Sequence, residues 1–463
     1  MTEYIFPKGT VPQKDGYCNL LIKQPLQIGL SERLTTPFED GDHVILDFGK
    51  EMCGGIRILT YLGGDVPVRI RFGESLTEAC SDIGGSTNAT NHHSLRDFTV
   101  SLQSYSDMTF GQTGFRFVRI DFFGKAEIKS IVASAWSQDR KALYEYNGTD
   151  SRIREIYGAA KRTVDLCVSS GYVWDGVKRD RLVWIGDMAP EVLALTTLYG
   201  RLPEIERSLD FVRDQTPLPG WMNGYPTYSM WWIIVLDIYY SKTGAKDYIR
   251  KQIDYLNKLL CQIDDCILSD GELNFPSYFL DWPTHGKPEV KEGVRAISIM
   301  SLKAAIRLLS LFGEETTKAE ELLTRLMKKE IKCGKSKQVL ALKHHAVGLS
   351  DDEQKQLIDG GARGMSTFMS YYILSAVASF DREAAIEMMK EYYGGMLEKG
   401  ATTFWEDFDI EWMKGSCRID EFPKEGEKDI HGDYGTHCYV GFRHSLCHGW
   451  SAGVIAFLNE ERI

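Results

Sequence analysis

The chain has 463 residues, which is too many for one ordinary hydrophobic core, so at least two domains are expected. Its formal net charge is −11, with acidic and basic residues interspersed, which argues against nucleic-acid binding because that favours a basic surface. Aromatic residues make up 11% of the chain, a content that suits a binding cleft as well as a core.

The sequence carries no pattern typical of export or of membrane insertion. The N-terminal residues lack a basic region followed by an apolar run, and no apolar run approaches the ~18 residues needed to cross a bilayer. We therefore predict a cytoplasmic location, no membrane partner and reduced thiols for the cysteines. A homo-oligomer is compatible with the sequence, which does not define an assembly.

Residues 1–137 are predicted to form an antiparallel β-sandwich domain. β-Branched and aromatic residues alternate with polar ones in several short runs, and glycine pairs such as Gly54-Gly55 separate some of these runs. The predicted strands are residues 43–48, 56–61, 66–72, 98–102, 115–122 and 126–135. The polar segment 79–93 is predicted to be a long loop.

The periodicity changes from two to 3.6 after a polar linker, residues 138–150, whose last residue Asp150 is a candidate N-cap. Twelve helices are predicted, at 151–168, 187–200, 203–214, 226–242, 245–263, 293–312, 314–331, 336–346, 351–358, 364–380, 382–397 and 443–459. Their hairpin order over residues 151–463 favours an α/α barrel or toroid, in which the loops of the inner helices meet at one end. Four long connections, 171–186, 216–225, 274–292 and 398–442, are candidates for function.

The first of these connections leads into the candidate active site, residues 175–187. It contains three carboxylates, Asp175, Asp180 and Asp187, together with Arg179, Arg181 and Trp184. Carboxylates supply acid/base chemistry, arginines bind hydroxyl and carboxyl groups, and an indole stacks on a sugar face. The structural alternative is helix capping by Asp187 and ion pairing of the acids with the arginines, and spacing alone does not decide between the two.

A second acidic segment, residues 400–409, favours the functional interpretation of the first. Glu406 adjoins Trp405 there, again at the end of a helical hairpin. Glycoside hydrolysis needs two carboxyl groups on opposite sides of the sugar, one to protonate the leaving oxygen and one to activate water. The two loops together would supply such a pair.

Further candidates for sugar contacts are weaker. Trp231 and Trp232 lie in an apolar helical pattern and are more typical of a core, so at most one of them is expected to face a cleft. Asp281 and Trp282, in the loop 274–292, are better candidates for contacting the sugar. His448, next to Gly449-Trp450, is a candidate hydrogen-bond donor.

No metal or organic cofactor is predicted. The C-terminal segment contains clustered histidines and cysteines, but their spacing lacks the patterns of a zinc knuckle or of an HExxH helix. No phosphate-binding glycine loop and no GxSxG motif occurs, which leaves nucleotide binding and serine-hydrolase chemistry without support.

Residues 175–187 resemble the first signature of glycoside hydrolase family 78, the bacterial α-L-rhamnosidases, and residues 400–406 resemble its second. Residues 445–450 resemble the start of that family's last helix, and residues 44–50 and 69–74 are similar to its N-terminal β-domain. The likeness covers nearly the whole chain. It implies an N-terminal antiparallel β-sandwich followed by an (α/α)6 six-hairpin barrel, and an inverting mechanism on a carbohydrate substrate.

The resemblance also implies roles for individual residues. The general acid falls on Asp180 and the general base on Glu406, while the family residues that hold the sugar fall on Asp175, Arg179, Trp184 and Asp187. Trp232 or Trp231, Trp282 and His448 match less tightly. Asp180 stands where the family has a glutamate, and the missing methylene withdraws its carboxyl by about 1.5 Å.

Two other functions remain open from the sequence. The shorter Asp180 is compatible with a carbohydrate-binding protein that has no catalytic activity. A polysaccharide lyase on the same type of barrel would use a tyrosine or histidine base, for which Tyr225, Tyr228 and His285 are candidates. A lyase, however, does not need the two acidic loops.

Overall fold

The computed structural model describes residues 2–11, 15–82, 95–138, 140–437 and 440–461. The N-terminal part is built of strands, and long helices begin at Ser151. Most of the predicted loop 79–93, residues 83–93, lies outside the described residues. The strands are β1 (Thr2–Ile5), β2 (Gly9–Val11), β3 (Thr36–Phe38), β4 (His43–Leu62), β5 (Val66–Gly73), β6 (Asp97–Leu102), β7 (Ser106–Phe122) and β8 (Ala126–Trp136), and a small hairpin follows the first long helix, β9 (Val168–Ser169) and β10 (Tyr172–Val173).

The first eight strands join one antiparallel sheet. Its order is β1-β8-β4-β7-β5-β6, and β2 and β3 pair with β4 and β8 at the ends. Apolar side chains of the sheet pack together in a core that includes Val44, Ile58, Ile70 and Phe115.

The predicted break between strands 43–48 and 56–61 is wrong, because β4 runs through both. Gly54 and Gly55 lie at a register shift inside β4, where the neighbouring strands come very close. A Cβ added at Gly54 would meet the Ser134 carbonyl oxygen at 2.2 Å, and one at Gly55 would meet the Phe110 carbonyl oxygen at 2.2 Å. The glycines therefore permit close packing within the sheet rather than ending a strand.

From residue 151 the helices follow the predicted order, with most ends shifted by up to about six residues, whereas the short helix α1 was not predicted. They are α1 (Leu76–Ala79), α2 (Ser151–Cys167), α3 (Met188–Tyr199), α4 (Pro203–Gln215), α5 (Pro226–Thr243), α6 (Lys246–Arg250), α7 (Ile253–Asp264), α8 (Val290–Ser310), α9 (Thr317–Leu326), α10 (Lys337–Val347), α11 (Asp351–Ile358), α12 (Ser370–Ala378), α13 (Arg382–Glu398) and α14 (Val454–Glu460). Asp150 caps α2, because its carboxylate accepts hydrogen bonds from the backbone N–H groups of Arg152 and Ile153.

Two helix predictions need correction. The predicted helix 245–263 is two helices, α6 and α7. The predicted helix 443–459 begins as regular α-helix only at Val454, after a 3-10 turn at Gly449–Gly453. Residues before this turn bond to another segment instead, since the His448 N–H donates to the Phe404 carbonyl at 3.0 Å.

The helices share one extensive core, formed by buried residues from all parts of the chain after residue 145. Within the described residues, no helix combines the length and apolar content needed to cross a bilayer. The sheet contacts the helical part directly at the candidate loop. The Gly114 N–H donates to the Val177 carbonyl at 2.8 Å, and the Thr113 hydroxyl donates to the Lys178 carbonyl at 3.0 Å.

Candidate active site

The loop 175–187 has an irregular backbone that is held from within and from the sheet. Asp180 and Arg181 both have left-handed conformations, with φ values of 52° and 55°. Such conformations are uncommon for residues other than glycine and concentrate at functional sites. The Asp175 carboxylate accepts the Leu182 N–H at 2.9 Å, which closes the turn that contains Asp180.

Two further segments meet this loop. Glu406 and Ser445 exchange hydrogen bonds: the Glu406 N–H donates to the Ser445 carbonyl at 2.9 Å, and the Ser445 N–H donates to Glu406 Oε2 at 2.9 Å. Gly176 forms an isolated antiparallel bridge with His448. Three segments that are distant in sequence thus come together at one place.

These segments line a cavity of about 180 Å³. Polar and aromatic side chains contribute to its wall in similar numbers. The lining residues are Asp175, Arg179, Asp180, Trp184, Asp187, Tyr225, Tyr228, Phe279, Trp282, Glu406, Arg443, His448 and Trp450.

Arg179 contacts both carboxylates of the predicted catalytic pair. Its Nη2 donates to both oxygens of Glu406 at 2.8 Å, its Nη1 donates to Asp180 Oδ2, and its Nε donates to the Arg443 carbonyl at 2.7 Å. Glu406 is buried, whereas the Asp180 side chain is 20% exposed. One buried guanidinium therefore neutralises part of the negative charge of the cavity and fixes the two acids relative to each other.

Burial raises the pKa values of three carboxyls in the cavity. The pKa values of Asp175 and Asp187 lie well above the ordinary range, because both groups are buried and because other carboxylates are close. Burial also raises the pKa of Glu406, while Arg179 and the Ser445 N–H oppose that rise. The cavity can therefore offer both protonated and ionised carboxyl groups to a ligand.

His448 faces the same carboxyls. Its Nε2 lies 3.5 Å from Glu406 Oε1, 3.8 Å from Asp187 Oδ2 and 4.0 Å from Asp175 Oδ2. Burial, followed by the positive charge of Arg179, holds the pKa of His448 well below its usual value. The imidazole is therefore neutral near pH 7 and can donate one hydrogen bond.

Aromatic rings form a large part of the cavity wall. Trp184 meets Tyr228 edge-on with centroids 6.0 Å apart, and Phe279 meets Trp282 in the same way at 5.0 Å. Gly186 allows the close approach of Tyr228, because a Cβ there would lie 2.4 Å from the ring. A wall of this kind suits the apolar face of a sugar ring.

The structure brings together eight of the ten residues predicted from the sequence. Asp175, Arg179, Asp180, Trp184, Asp187, Trp282, Glu406 and His448 all line the cavity. Asp187 does not cap α3: no side-chain capping bond is present, and its carboxylate accepts the Tyr228 hydroxyl at 3.0 Å.

The other two predicted residues, Trp232 and Asp281, do not line the cavity. Trp232 is fully buried on α5, where its indole N–H donates to the Leu209 carbonyl at 3.4 Å and its ring packs on Tyr255. Asp281 bonds to the hydroxyls of Thr284 and Ser366 and shapes its own loop. Neither residue is therefore placed to contact a ligand in the cavity. Trp231 is fully buried in the helical core as well, in line with the apolar pattern of this helix. In the loop, the adjacent Asp281 and Trp282 face different ways, and of the two Trp282 lines the cavity.

Sequence reasoning missed several residues of the wall. Phe279 and Arg443 had no pattern that singled them out, although Phe279 shares a loop with Trp282. Tyr225 and Tyr228 were considered only as bases for a lyase. Tyr225 ends a long loop and Tyr228 lies in the first turn of α5. Loops on the same side of a helical array lie close together, so this position could have indicated that both tyrosines belong to the site.

Comparison with solved structures places this architecture among known folds. A rhamnosidase from Klebsiella oxytoca with rhamnose bound superposes with a TM-score of 0.73 at 19% identity, over 92% of this chain and 89% of the other. The chain shares its fold with solved rhamnosidases. The family 78 rhamnosidase of Bacillus sp. GL1 gives a TM-score of 0.75 at 18% identity and an α-L-rhamnosidase from Streptomyces avermitilis, complexed with L-rhamnose, gives 0.68 at 17%.

The length of the chain relative to these proteins varies. The superposed region covers 96% of this chain but only 48% of the Bacillus protein. For the Streptomyces protein it covers 90% of this chain and 42% of the other. No protein-family model matches the chain, and no curated protein matches it by sequence. The likeness is therefore one of fold.

Proposed function

We propose that this protein is an inverting glycoside hydrolase that releases terminal α-L-rhamnose, or a closely related deoxy or uronic sugar, from glycans or glycosides. Asp180 would act as general acid on the glycosidic oxygen, and Glu406 as general base on the attacking water. The observation that carries the proposal is the meeting of these two carboxyls, from distant segments, in one small cavity with an aromatic wall.

The size and lining of the cavity support a single sugar as the group bound. A volume of about 180 Å³ is small beside the roughly 300–1,000 Å³ usual for ligand pockets, which favours one sugar over an oligosaccharide. The buried carboxyls of Asp175 and Asp187 and the neutral His448 can bind hydroxyl groups, while Trp184 and Trp282 can pack on carbon. We therefore infer an enzyme that acts on chain ends.

The environment of Glu406 suits a general base. Arg179 and the Ser445 N–H stabilise the ionised carboxylate despite its burial. A base that is buried and ionised can accept a proton from a water molecule placed beside it.

Asp180 has to carry a proton to act as general acid, whereas its carboxyl contacts the Arg179 guanidinium here. The proposed step therefore requires Asp180 to leave Arg179 when the glycosidic oxygen arrives. The Asp180 side chain is 20% exposed, so water can supply the proton that it takes up on leaving Arg179 and then gives to the glycosidic oxygen.

The experiment is turnover of two α-L-rhamnosides, one with an aryl and one with an alkyl leaving group. Asp180→Asn is expected to lose far more activity on the alkyl substrate, because an aryl alcohol leaves without much help from an acid. Glu406→Gln is expected to lose similar activity on both, on the order of 1,000-fold, since general bases contribute typically 100- to 10,000-fold.

NMR of the first product checks the stereochemistry, and inversion predicts that the β-anomer appears first. The exposed variant Asp254→Asn serves as a matched control, since it lies on α7 away from the cavity and should keep wild-type rates. Wild-type rates in both Asp180→Asn and Glu406→Gln would contradict the assignment.

A carbohydrate-binding protein without turnover is the second candidate, favoured by one observation. The shortened acid Asp180 is held by Arg179 rather than free to reach a ligand. This alternative predicts that L-rhamnose binds in calorimetry while neither wild type nor Asp180→Glu hydrolyses either substrate. Turnover by Asp180→Glu would count against it.

We also propose that the helices close into the (α/α)6 barrel, and that the sheet, bent at its register shifts, forms the two layers of a sandwich. The fold of the solved rhamnosidases supports this proposal. The domain limits 1–137 and 151–463 with linker 138–150, the cytoplasmic location and a homo-oligomer stay predictions.

A further inference from the structure

A buried ionic cluster lies where the sheet meets the helical part, outside the cavity. It consists of Glu74, Glu78, Arg96, Lys178 and His431, and we call it the interface cluster. Each of its side chains is at most 1% exposed. Glu74 and Glu78 come from the sheet side, after β5 and in α1, while Lys178 belongs to the candidate loop and directly precedes Arg179.

Glu74, Glu78 and His431 are close enough together to suggest a metal site. Lys178, however, already supplies a cation there. Its Nζ lies 3.2 Å from Glu74 Oε2, 2.9 Å from Glu78 Oε1 and 3.3 Å from His431 Nε2. Arg96 adds a second positive charge at 2.7 Å from Glu78. These residues therefore form an ion-pair network in which Lys178 and Arg96 take the place of a metal cation. The buried Glu51 also faces it, and burial raises the pKa of Glu74 to about 7.

Glu74 is the member of the cluster that reaches both loops around Glu406. One of its oxygens accepts the Ser445 hydroxyl at 3.0 Å, and the other accepts the Leu446 N–H at 2.5 Å. The second oxygen also pairs with Lys178. One carboxylate from the sheet thus ties the loop that carries Arg179 to the segment that carries Ser445.

Both of these loops hold Glu406. Arg179 donates to its two oxygens, and the Ser445 N–H donates to Oε2. Glu74 therefore acts on Glu406 by two routes, one through Lys178 and Arg179 and the other through Ser445. Glu74 comes from the sheet side and does not itself line the cavity.

We propose that Glu74 is a positioning residue that fixes the orientation of Glu406 from across the interface of sheet and helices. The inference deepens the proposed function and rests on it for its kinetic consequences. A catalytic group that is misplaced by about 1 Å can cost on the order of 100-fold in rate. The sheet would then be a working part of the active site.

The experiment compares Glu74→Gln with Glu74→Asp and with the control Asp420→Asn. Asp420 also joins helical part and sheet, through Arg116 at 3.1 Å, but it has no bond to either loop around Glu406. Glu74→Gln keeps the shape of the side chain but removes its charge: the amide oxygen can stay towards Lys178 and Leu446, and the N–H₂ then faces the Ser445 hydroxyl, which has to accept instead of donate. Glu74→Asp keeps the charge at shorter reach.

We expect kcat on the aryl rhamnoside to fall about 10- to 100-fold in Glu74→Gln with little change in KM, because sugar contacts remain while the base is misplaced. The acidic limb of the pH profile of kcat/KM should move to higher pH, because Glu406 loses part of the support for its ionised form. Glu74→Asp should recover part of both effects, and Asp420→Asn should show neither.

Hydrogen exchange gives a readout that does not depend on turnover. Peptides that cover residues 175–187 and 443–448 should exchange faster in Glu74→Gln than in wild type, and at wild-type rates in Asp420→Asn. Unchanged exchange of both peptides in a folded Glu74→Gln variant would overturn the proposal. Wild-type protein that hydrolyses no rhamnoside would instead refute the proposed function, and exchange alone would then decide the role of Glu74.

Discussion

Arg179 makes contacts that no other basic side chain could make at once. Its guanidinium binds Glu406 with one nitrogen, Asp180 with a second and the Arg443 carbonyl with a third. Arginine has five N–H donors in a planar fork, whereas lysine has one ammonium group with three. The arginine therefore orients the predicted acid and base together rather than merely supplying charge.

We expect Arg179→Lys to lower kcat/KM on an aryl rhamnoside by on the order of 100-fold, comparable to the loss of one preorganised donor elsewhere. Arg181→Lys is the matched control, because Arg181 lies over Trp174 and donates to the Gln112 carbonyl, away from Glu406. Steady-state kinetics of both variants measure the effect. Both substitutions keep the positive charge, so wild-type activity in Arg179→Lys would show that charge alone, and not the planar fork, is what the site needs.

Glu191 is a second residue with an unusual environment. It lies on α3 one turn after Asp187, fully buried, and neither carboxyl oxygen has a hydrogen-bond partner among the described residues. Burial, and then the nearby carboxylates of Asp187 and Asp175, raise its pKa well above the ordinary value. Glu191 is therefore a neutral acid beneath the cavity over a wide range of pH.

This pKa has a consequence for stability. Between the unfolded pKa of about 4.3 and the raised folded pKa, the folded state binds more protons than the unfolded state. The contribution of Glu191 to the free energy of unfolding is largest below that pH window and decreases as pH rises through it. Glu191→Gln removes this loss, so the difference in Tm, variant minus wild type, should increase from pH 5 to pH 8.

Thermal unfolding at several pH values tests this prediction, with the exposed Glu155→Gln on α2 as control. The control should follow wild type across the range. A Glu191→Gln difference that stays constant or decreases with pH would show that the buried carboxyl is ionised in the folded protein.

At the scale of elements, the turn before α14 is packed against α3 without spare room. Gly449 donates its N–H to the Asp175 carbonyl at 2.7 Å, and a Cβ on it would lie 1.8 Å from Glu191 Oε1. His448 and Trp450, on either side, both line the cavity. Glycine is required there by close approach and not by its φ angle.

Gly449→Ala should therefore destabilise the protein by about 1–3 kcal/mol, the usual cost of overpacking, and weaken sugar binding by moving His448. Gly158→Ala is the paired control, because Gly158 lies inside α2 with nothing within 4 Å of a new Cβ. That change should stabilise the protein by about 0.5–1 kcal/mol. Denaturant unfolding and calorimetric titration measure both, and a neutral Gly449→Ala would contradict the packing argument.

The sequence was informative about elements because periodicity is a local property. Helices such as Asp351–Ile358 were predicted at their observed bounds, since a capping serine and a 3.6-residue pattern define them. The first half of the predicted helix 443–459 was wrong, because the apolar residues there are buried by remote segments and not by the packing of a helix. Cys447 is buried between the sheet and α2, and Leu446 bonds Glu74, both through contacts with remote residues.

Site residues that lie together in one sequence motif were predicted. Site residues that only the fold brings together were missed. The loop 175–187 concentrates acids and arginines, so its role was visible. Arg443 enters the cavity through a segment with no acidic or aromatic pattern, and Glu74 acts from another part of the fold altogether. Long-range contacts of this kind leave no periodic trace in one sequence.

For the whole molecule, the contacts between sheet and helices include buried charges beside a small apolar cluster. Arg116 of β7 pairs with Asp47 at 2.9 Å within the sheet and with Asp420 at 3.1 Å across the interface. Lys178 brings a fully buried charge to Glu74 and Glu78 on the sheet side. If the sheet came away from the helices, these charged groups would lose their partners. They would then either stay buried unpaired or become exposed to solvent on both parts.

We therefore expect sheet and helices to unfold in one cooperative transition, with far-UV circular dichroism and tryptophan fluorescence changing together. Lys178→Met should lower the free energy of unfolding by about 3–5 kcal/mol, because it leaves two carboxylates short of a cation in the interior. Lys258→Met, which removes an exposed lysine from α7, should change it by less than about 1 kcal/mol. Calorimetry that resolves an early transition of the sheet, in wild type or in Lys178→Met, would show that the interface does not couple the two parts.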